Sequence, residues 1–199
     1  MCSRAASSHD RPTSRYDPGM APVSTASDTR QKIIDAGSEL ARAHGVLGLS
    51  VDNVLATAGV SKGGFFHHFR TKHELIVAVV ESELDRFETE VAARERDGLS
   101  FPEAISETIL DFVESNATMM ASVNAALSFG DDLRVIVTKR RAAWRLRLRR
   151  SLDAPVRADL LSIAIDGVIF SCSMRSERVT RSELAAMRDA LWLAMGRRE

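Results

Sequence analysis

The chain reads as an all-α protein of about nine helices: a small N-terminal helix-turn-helix unit followed by a larger helical body. Three observations carry that reading. Apolar residues recur at helical spacing along most of the 199 residues. Ser, Thr and Asp stand ahead of the apolar runs, where helix starts are capped. The stretch SVDNVLATAGVSKGGFFHHFRTK (50–72) holds two short helical segments joined by a Gly-containing turn. Hydrophobic residues make up 45% of the chain, and no charge-free apolar run is long enough for a membrane span. The first residues lack the apolar core of a signal peptide and Cys2 and Cys172 are the only cysteines, which together point to the reducing cytoplasm. Lys plus Arg and Asp plus Glu are 27 each. A neutral chain does not look like a non-specific polyanion binder, although a local basic face is enough for site-specific binding.

Taken in order, residues 1–27 are rich in Ser, Ala, Arg and Pro, lack periodicity and are predicted to be disordered. Asp28 with Gln31 resembles a capping box, and Ile33, Ile34, Ala36, Leu40 and Ala41 form the stripe of a first helix that Gly45 ends. Ser50 caps a second helix over 51–58, closed by Gly59. Ser61 caps a third, about 62–68, with Val54, Leu55, Val60, Phe65 and Phe69 meeting in one small core. Gly63 and Gly64 each cost this third helix on the order of 1 kcal/mol relative to Ala. Two readings fit them: close crossing of a neighbouring helix, or close approach of the helix N-terminus to a phosphate. Thr71 with Glu74 opens a fourth helix, predicted to reach the mid-90s with Leu75, Ile76, Val79, Val80, Leu84, Phe87 and Val91 inward.

The pieces TRQKIIDAGSELARAHG, LSVDNV, AGVSKGGFFHHF and TKHELIVAVV, in that order and spacing, resemble the N-terminal DNA-binding domain of the TetR family of transcriptional regulators. The resemblance covers about a quarter of the chain, from Thr29 to about Glu81. It implies a helix-turn-helix domain over 28–75 and a ligand-binding and dimerisation body over 76–199. It also implies a dimer that reads a palindromic operator in double-stranded DNA, most simply as a repressor released by a small molecule. Carried onto this chain, Lys62 contacts a base edge or phosphate, Gly63 and Gly64 permit close approach, Phe66 packs on a thymine methyl and His67 donates to phosphate or base. His68 and Lys72 hold the backbone, with Ser50 and Thr29 doing so from helix starts. Phe66 stands where the family often has Tyr, so a phenolic contact is missing. Met20 begins the short lead usual ahead of the first helix, and translation from Met20 is an alternative to Met1. A basic arm through Arg4, Arg11 and Arg15 is the alternative to simple disorder, offset in part by Asp10 and Asp17.

Beyond the fourth helix, Ser100, Pro102 and Glu103 open the body. One helix carries Ile105, Ile109, Phe112 and Val113, and a separate one Met119, Met120, Val123, Ala126, Leu127 and Phe129. Gly130 breaks the run, and Asp131 and Asp132 start a long helix with Leu133, Val137, Trp144, Leu148 and Leu152 on one face. Pro155 opens a helix that is apolar nearly all round from Leu160 to Phe170, and Thr180 or Ser182 caps the last, with Leu184, Met187, Leu191 and Met195 inward. The resemblance gives the final pair of helices a use, a four-helix contact with a second subunit in which Gly167 permits close approach. Phe112, Met119, Met120, Val123, Phe129, Trp144, Phe170, Cys172 and Met174 are candidates to line an apolar ligand cavity, ordinary core packing being the alternative for each. Arg141, Arg145 and Arg149 stack at i, i+4 within an acid-free run from Lys139 to Arg150. That run either pairs with fourth-helix acids such as Asp85, Glu88 and Glu95 or meets an anionic ligand.

No cofactor, metal or catalytic group is expected. Adjacent His67 and His68 diverge on a helix, and there is no Gly-rich phosphate loop, paired-Cys zinc pattern or HExxH. A helical sensor or carrier without DNA binding is the alternative to the regulator.

Overall fold

The structure, a computed structural model, describes residues 26–126, 130–173 and 179–196, with the side chains of 26 and 116–126 excepted. The expected N-terminal disorder or arm therefore lies outside the described residues. Among the described residues eight α-helices follow one another: α1 (Ala26–His44), α2 (Val51–Ala58), α3 (Lys62–His68), α4 (Lys72–Arg96), α5 (Phe101–Ala126), α6 (Asp131–Ser151), α7 (Pro155–Ser173) and α8 (Arg181–Ala194). A 3-10 turn, Val46–Gly48, joins α1 to α2. No strand occurs among the described residues.

Local chemistry sets the boundaries. Gly45, at φ 79° and ψ 153°, stops α1 in an extended positive-φ conformation essentially confined to glycine, which costs any other residue about 1–3 kcal/mol. Thr71 Oγ1 accepts from the Glu74 N–H at 3.1 Å, while the Glu74 carboxylate reaches past the cap to the Arg70 N–H at 2.8 Å. At α8 the box is complete, Thr180 and Glu183 each satisfying the other's backbone N–H. Two expected starts differ. α1 begins at Ala26, ahead of Asp28, and Gln31 bonds Asp35 one turn on rather than closing a box. α5 runs unbroken through Val113–Met119, where two helices were expected. No Gly or Pro interrupts that segment, and the polar Ser115–Thr118 stretch lowers helix propensity by only tenths of a kcal/mol per residue.

Two apolar cores result. The head core packs Ile33 and Ala41 of α1, Val54 of α2, Phe65 and Phe69 around α3, and Leu75, Val79 and Val80 of α4. It also takes in Leu133 and Val137 from the first turns of α6. The body core gathers Phe87 and Val91 of α4, Ile105, Ile109 and Phe112 of α5, Leu148 of α6, Leu161 and Ile165 of α7 and Leu191 of α8. Both α4 and α6 thus belong to both cores. At 1.5 Å per residue α4 is about 38 Å long, so the two helices are rods joining head to body.

Candidate nucleic-acid interface and ligand cavity

The turn between α2 and α3 is built by backbone chemistry. Gly59 adopts φ 65°, ψ 32°, and its N–H closes α2 on the Leu55 carbonyl. Ser61 is extended, and its hydroxyl accepts from the Gly64 N–H at 3.1 Å. The inner face of α3 is then fixed by Phe65, fully buried, and by Phe69 just past its end, their ring centroids 5.7 Å apart. Burial of a ring of this size contributes roughly 1.5–3 kcal/mol, enough to hold a seven-residue helix that would not form alone. The opposite face carries Lys62, Gly63, Phe66 and His67, all exposed. Phe66 is 47% exposed, yet its ring stands edge-on against Phe65 at 5.3 Å and 89°, so an apolar probe is presented in a fixed orientation.

The two glycines separate. A Cβ built on Gly63 meets nothing within 4 Å, so packing gives no reason for glycine there. A Cβ on Gly64 comes within 3.0 Å of Val60 Cγ1, so close crossing accounts for that position. Ser50 has the extended conformation of an N-cap, but its hydroxyl makes no cap bond. Lys72 reaches back from the start of α4 to the Leu47 carbonyl at 3.3 Å. Thr29 sits in the first turn of α1. His68 is half-buried and faces away from the outer surface of α3. With Arg30, Phe69, His73 and Asp132 it lines a cleft of about 280 Å³ between head and body. There His73 Nε2 meets Asp132 Oδ2 at 2.7 Å, and this bond, with a second from the Leu133 N–H, holds the Asp132 carboxyl below its ordinary value. This junction between α4 and α6 has no local sequence signal, since its partners are 59 residues apart.

Charge is distributed unevenly. In the body, Arg140 binds Asp85 and Glu88 at 2.5 Å each, and these acids raise its pKa further above the ordinary guanidinium range. Arg147 binds Glu95 at 2.5 Å. The expected pairing with α4 therefore holds for those arginines, but the stacked Arg141, Arg145 and Arg149 turn the other way, to α7. Arg149 clasps Asp159 with two bonds of 2.9 Å, while Arg141 binds Asp166, which Arg145 approaches at 4.0 Å. Helix packing brings those acids in, and the stack is compensated within the chain rather than left for an anion. From Lys62 to Lys72, by contrast, there is no acid, and Lys62, Arg70 and Lys72 have no ion-pair partner among the described residues.

In the body a cavity of about 350 Å³ opens between α4, α5 and α6, lined by Glu88, Val91, Phe101, Ile105, Ala143, Trp144 and Arg147. That is within the size range of small-molecule sites. Trp144 was expected there, and its Nε1–H donates to Glu88 at 3.1 Å. Phe112 lies one layer behind the cavity, edge-on to Phe87, which in turn packs on Trp144 at 4.9 Å. Cys172 is buried in the body core. Phe170 is not brought in: it points outward from α7, 63% exposed. Side chains of Met119, Met120 and Val123, and residues Phe129 and Met174, lie outside the described residues. Phe101, with the Arg147 guanidinium 3.9 Å over its ring, was missed because its Pro-flanked position read only as a helix start.

A seven-residue helix held by its inner phenylalanines, with unpaired cations on it and just beyond its end, and mounted on rods that run into a helical body with a cleft beside Trp144, places the chain among helix-turn-helix proteins with a separate helical domain. Comparison narrows the class. Residues 33–79 match the model described as bacterial regulatory proteins, tetR family, and residues 100–194 match the tetracyclin repressor-like C-terminal domain. The chain belongs to the TetR family. The HTH-type transcriptional repressor NemR of Escherichia coli is 39% identical over 57 residues, which is 29% of this chain and 29% of NemR, so the match spans under a third of that relative. The HTH-type transcriptional regulator BetI of Rhizobium meliloti is 25% identical over 175 residues, 81% of this chain and 84% of BetI. Among solved structures, a transcriptional regulator from Rhodococcus sp. Rha1 superposes with a TM-score of 0.68 at 23% identity, covering 84% of this chain and 94% of that one. The multidrug binding protein EbrR, complexed with malachite green, gives 0.63 at 23% identity, covering 83% and 96%. At such identities these structures share the fold alone.

Proposed function

We propose that the protein is a sequence-specific DNA-binding transcriptional regulator, a homodimeric repressor released from a palindromic operator by a small molecule held in the body. The observation that carries this reading is the acid-free, unpaired cationic surface of α3 and its flanks in a chain whose other arginines are mostly neutralised in place. Such a surface attracts phosphate, and Phe66 and His67 beside it offer an apolar and a polar contact to base edges. Lys62, Gly63, Phe66, His67 and Lys72 form the contact face, with Ser50 and Thr29 at neighbouring helix starts. A repressor named NemR and a multidrug-binding EbrR among similar proteins favour repression and a small-molecule effector. The site of action is the cytoplasm, where the DNA is.

Release follows from differential affinity. An effector in the cavity beside Trp144 weakens operator binding only insofar as it binds more tightly when α4 and α6 hold the heads in a geometry unsuited to DNA. The test is selection of bound sequences from a random DNA pool, followed by titration at several salt concentrations against unrelated competitor. Saturable, competitor-resistant binding of two chains per palindromic site is expected. Binding that is equally tight to every sequence, or none, rejects the regulator reading.

A further inference from the structure

The geometry points to Arg70 as a phosphate-binding residue of the operator interface, paired across the recognition helix with Lys62; this rests on the DNA-binding reading of α3. Arg70 lies between Phe69, which closes α3, and Thr71, which caps α4. Its backbone is fixed there, because its N–H donates to the Glu74 carboxylate at 2.8 Å. That bond has a second consequence: the nearest acid in sequence is engaged with the backbone and not with the guanidinium. The Arg70 side chain is exposed and has no partner among the described residues. In the body, Arg147 and Arg149, in comparably exposed positions on α6, are clasped by acids of α4 and α7 respectively.

Spacing gives the unpaired cation its role. From Lys62 to His68 the helix rises about 9 Å, and Arg70 stands two residues further on, so the two cations are separated by on the order of 12–15 Å along α3. The major groove is about 12 Å wide, with a phosphate ridge on each side. A short helix seated in the groove through Gly63, Phe66 and His67 therefore carries one cation toward each ridge. Lys72, beyond Arg70, is tethered to the Leu47 carbonyl and marks the neighbouring backbone contact. Arg70 serves position and affinity rather than base choice, since it lies outside the helix that faces base edges.

The experiment measures the salt dependence of operator binding for the whole protein and for Arg70→Ala, Arg70→Lys and Arg150→Ala. Arg150 is likewise exposed and without a salt-bridge partner among the described residues, but it lies at the far end of α6. The slope of log affinity against log salt should fall in magnitude by about 0.9 per bound protomer in Arg70→Ala, persist in Arg70→Lys and persist in Arg150→Ala. Affinity for the selected operator and for its point variants should drop by the same factor in Arg70→Ala, and thermal unfolding should not move. An unchanged slope in Arg70→Ala overturns the assignment. So does an equal change in Arg150→Ala, which would report overall charge. A Lys72→Ala protein that loses slope while Arg70→Ala does not would reject Arg70 alone. Wild-type protein that binds no DNA would reject the DNA reading with it.

Discussion

The cost of a glycine is known, so an unexplained glycine is informative. Gly63 adds roughly 1 kcal/mol of instability to α3 relative to Ala and faces open space. Gly63→Ala should therefore leave the unfolding free energy unchanged or raise it by up to about 1 kcal/mol, while weakening operator binding, because a methyl stands between the helix N-terminus and the DNA. Gly64→Ala should be the less stable of the two, since its methyl presses on Val60 Cγ1 at 3.0 Å. Paired thermal unfolding and DNA titration separate them; a Gly63→Ala protein with native operator affinity refutes the close-approach role. At the head–body junction, the Asp132 carboxyl is held below its unfolded value by His73 and Leu133. A depressed acid contributes stability that is complete above its unfolded pKa, about 4, and is lost as pH falls through the lower folded value. Urea unfolding at pH 6 and at pH 3 should show a larger acid loss in wild type than in Asp132→Asn.

At the scale of helices, α4 is the element on which head and body both depend, and Glu83 is its least ordinary residue. The side chain is 6% exposed and accepts from Arg42 of α1 at 2.7 Å and from Arg86 at 2.8 Å, with Arg86 resting on the Phe112 ring of α5. Removing one member of a fully buried ion pair costs about 3–5 kcal/mol. Here the arginines are 38–39% exposed and can recover water, so Glu83→Gln should cost about 1–3 kcal/mol in chemical unfolding. A loss under about 0.5 kcal/mol would mean that Glu83 is solvated more than its burial indicates. The Arg42 contact was not legible in the chain, because Glu83 sits 41 residues from it. What was legible is local: the caps at Ser61, Thr71 and Thr180, the Gly45 and Gly59 stops, and the inward Phe65 and Phe69 are set by neighbours within a turn. The face of α7 was not, since a helix apolar nearly all round has no stripe from which to choose a direction. Phe170 was accordingly assigned inward and lies outward.

That outward face is the feature of the whole molecule that a single chain leaves unexplained. Val156, Leu160, Ile163 and Phe170 on α7 are 68%, 51%, 67% and 63% exposed, and their spacing places them on one stripe with Gly167. A Cβ at Gly167 meets nothing within 4 Å in this chain, so the flat spot it makes accommodates no internal neighbour. Leu193 of α8 adds a further 70%-exposed apolar side chain. Contiguous apolar surface of this kind marks an interface, and in the proposed dimer it is the face across which two copies of the α7–α8 pair meet about a two-fold axis. A two-fold pair of heads is also what a palindromic operator requires. Ile163→Asp places a charge at the centre of the stripe without touching either core, so the folded chain should persist with unchanged helical content while sedimentation shifts from dimer to monomer. Binding to a full operator should then weaken by about 10²–10⁴-fold, because the second half-site is no longer reached by a tethered head, whereas binding to an isolated half-site should remain close to wild type. An Ile163→Asp protein that sediments as a dimer would move the subunit contact to another face, and a monomer that still bound the full operator with native affinity would break the link between dimerisation and reading.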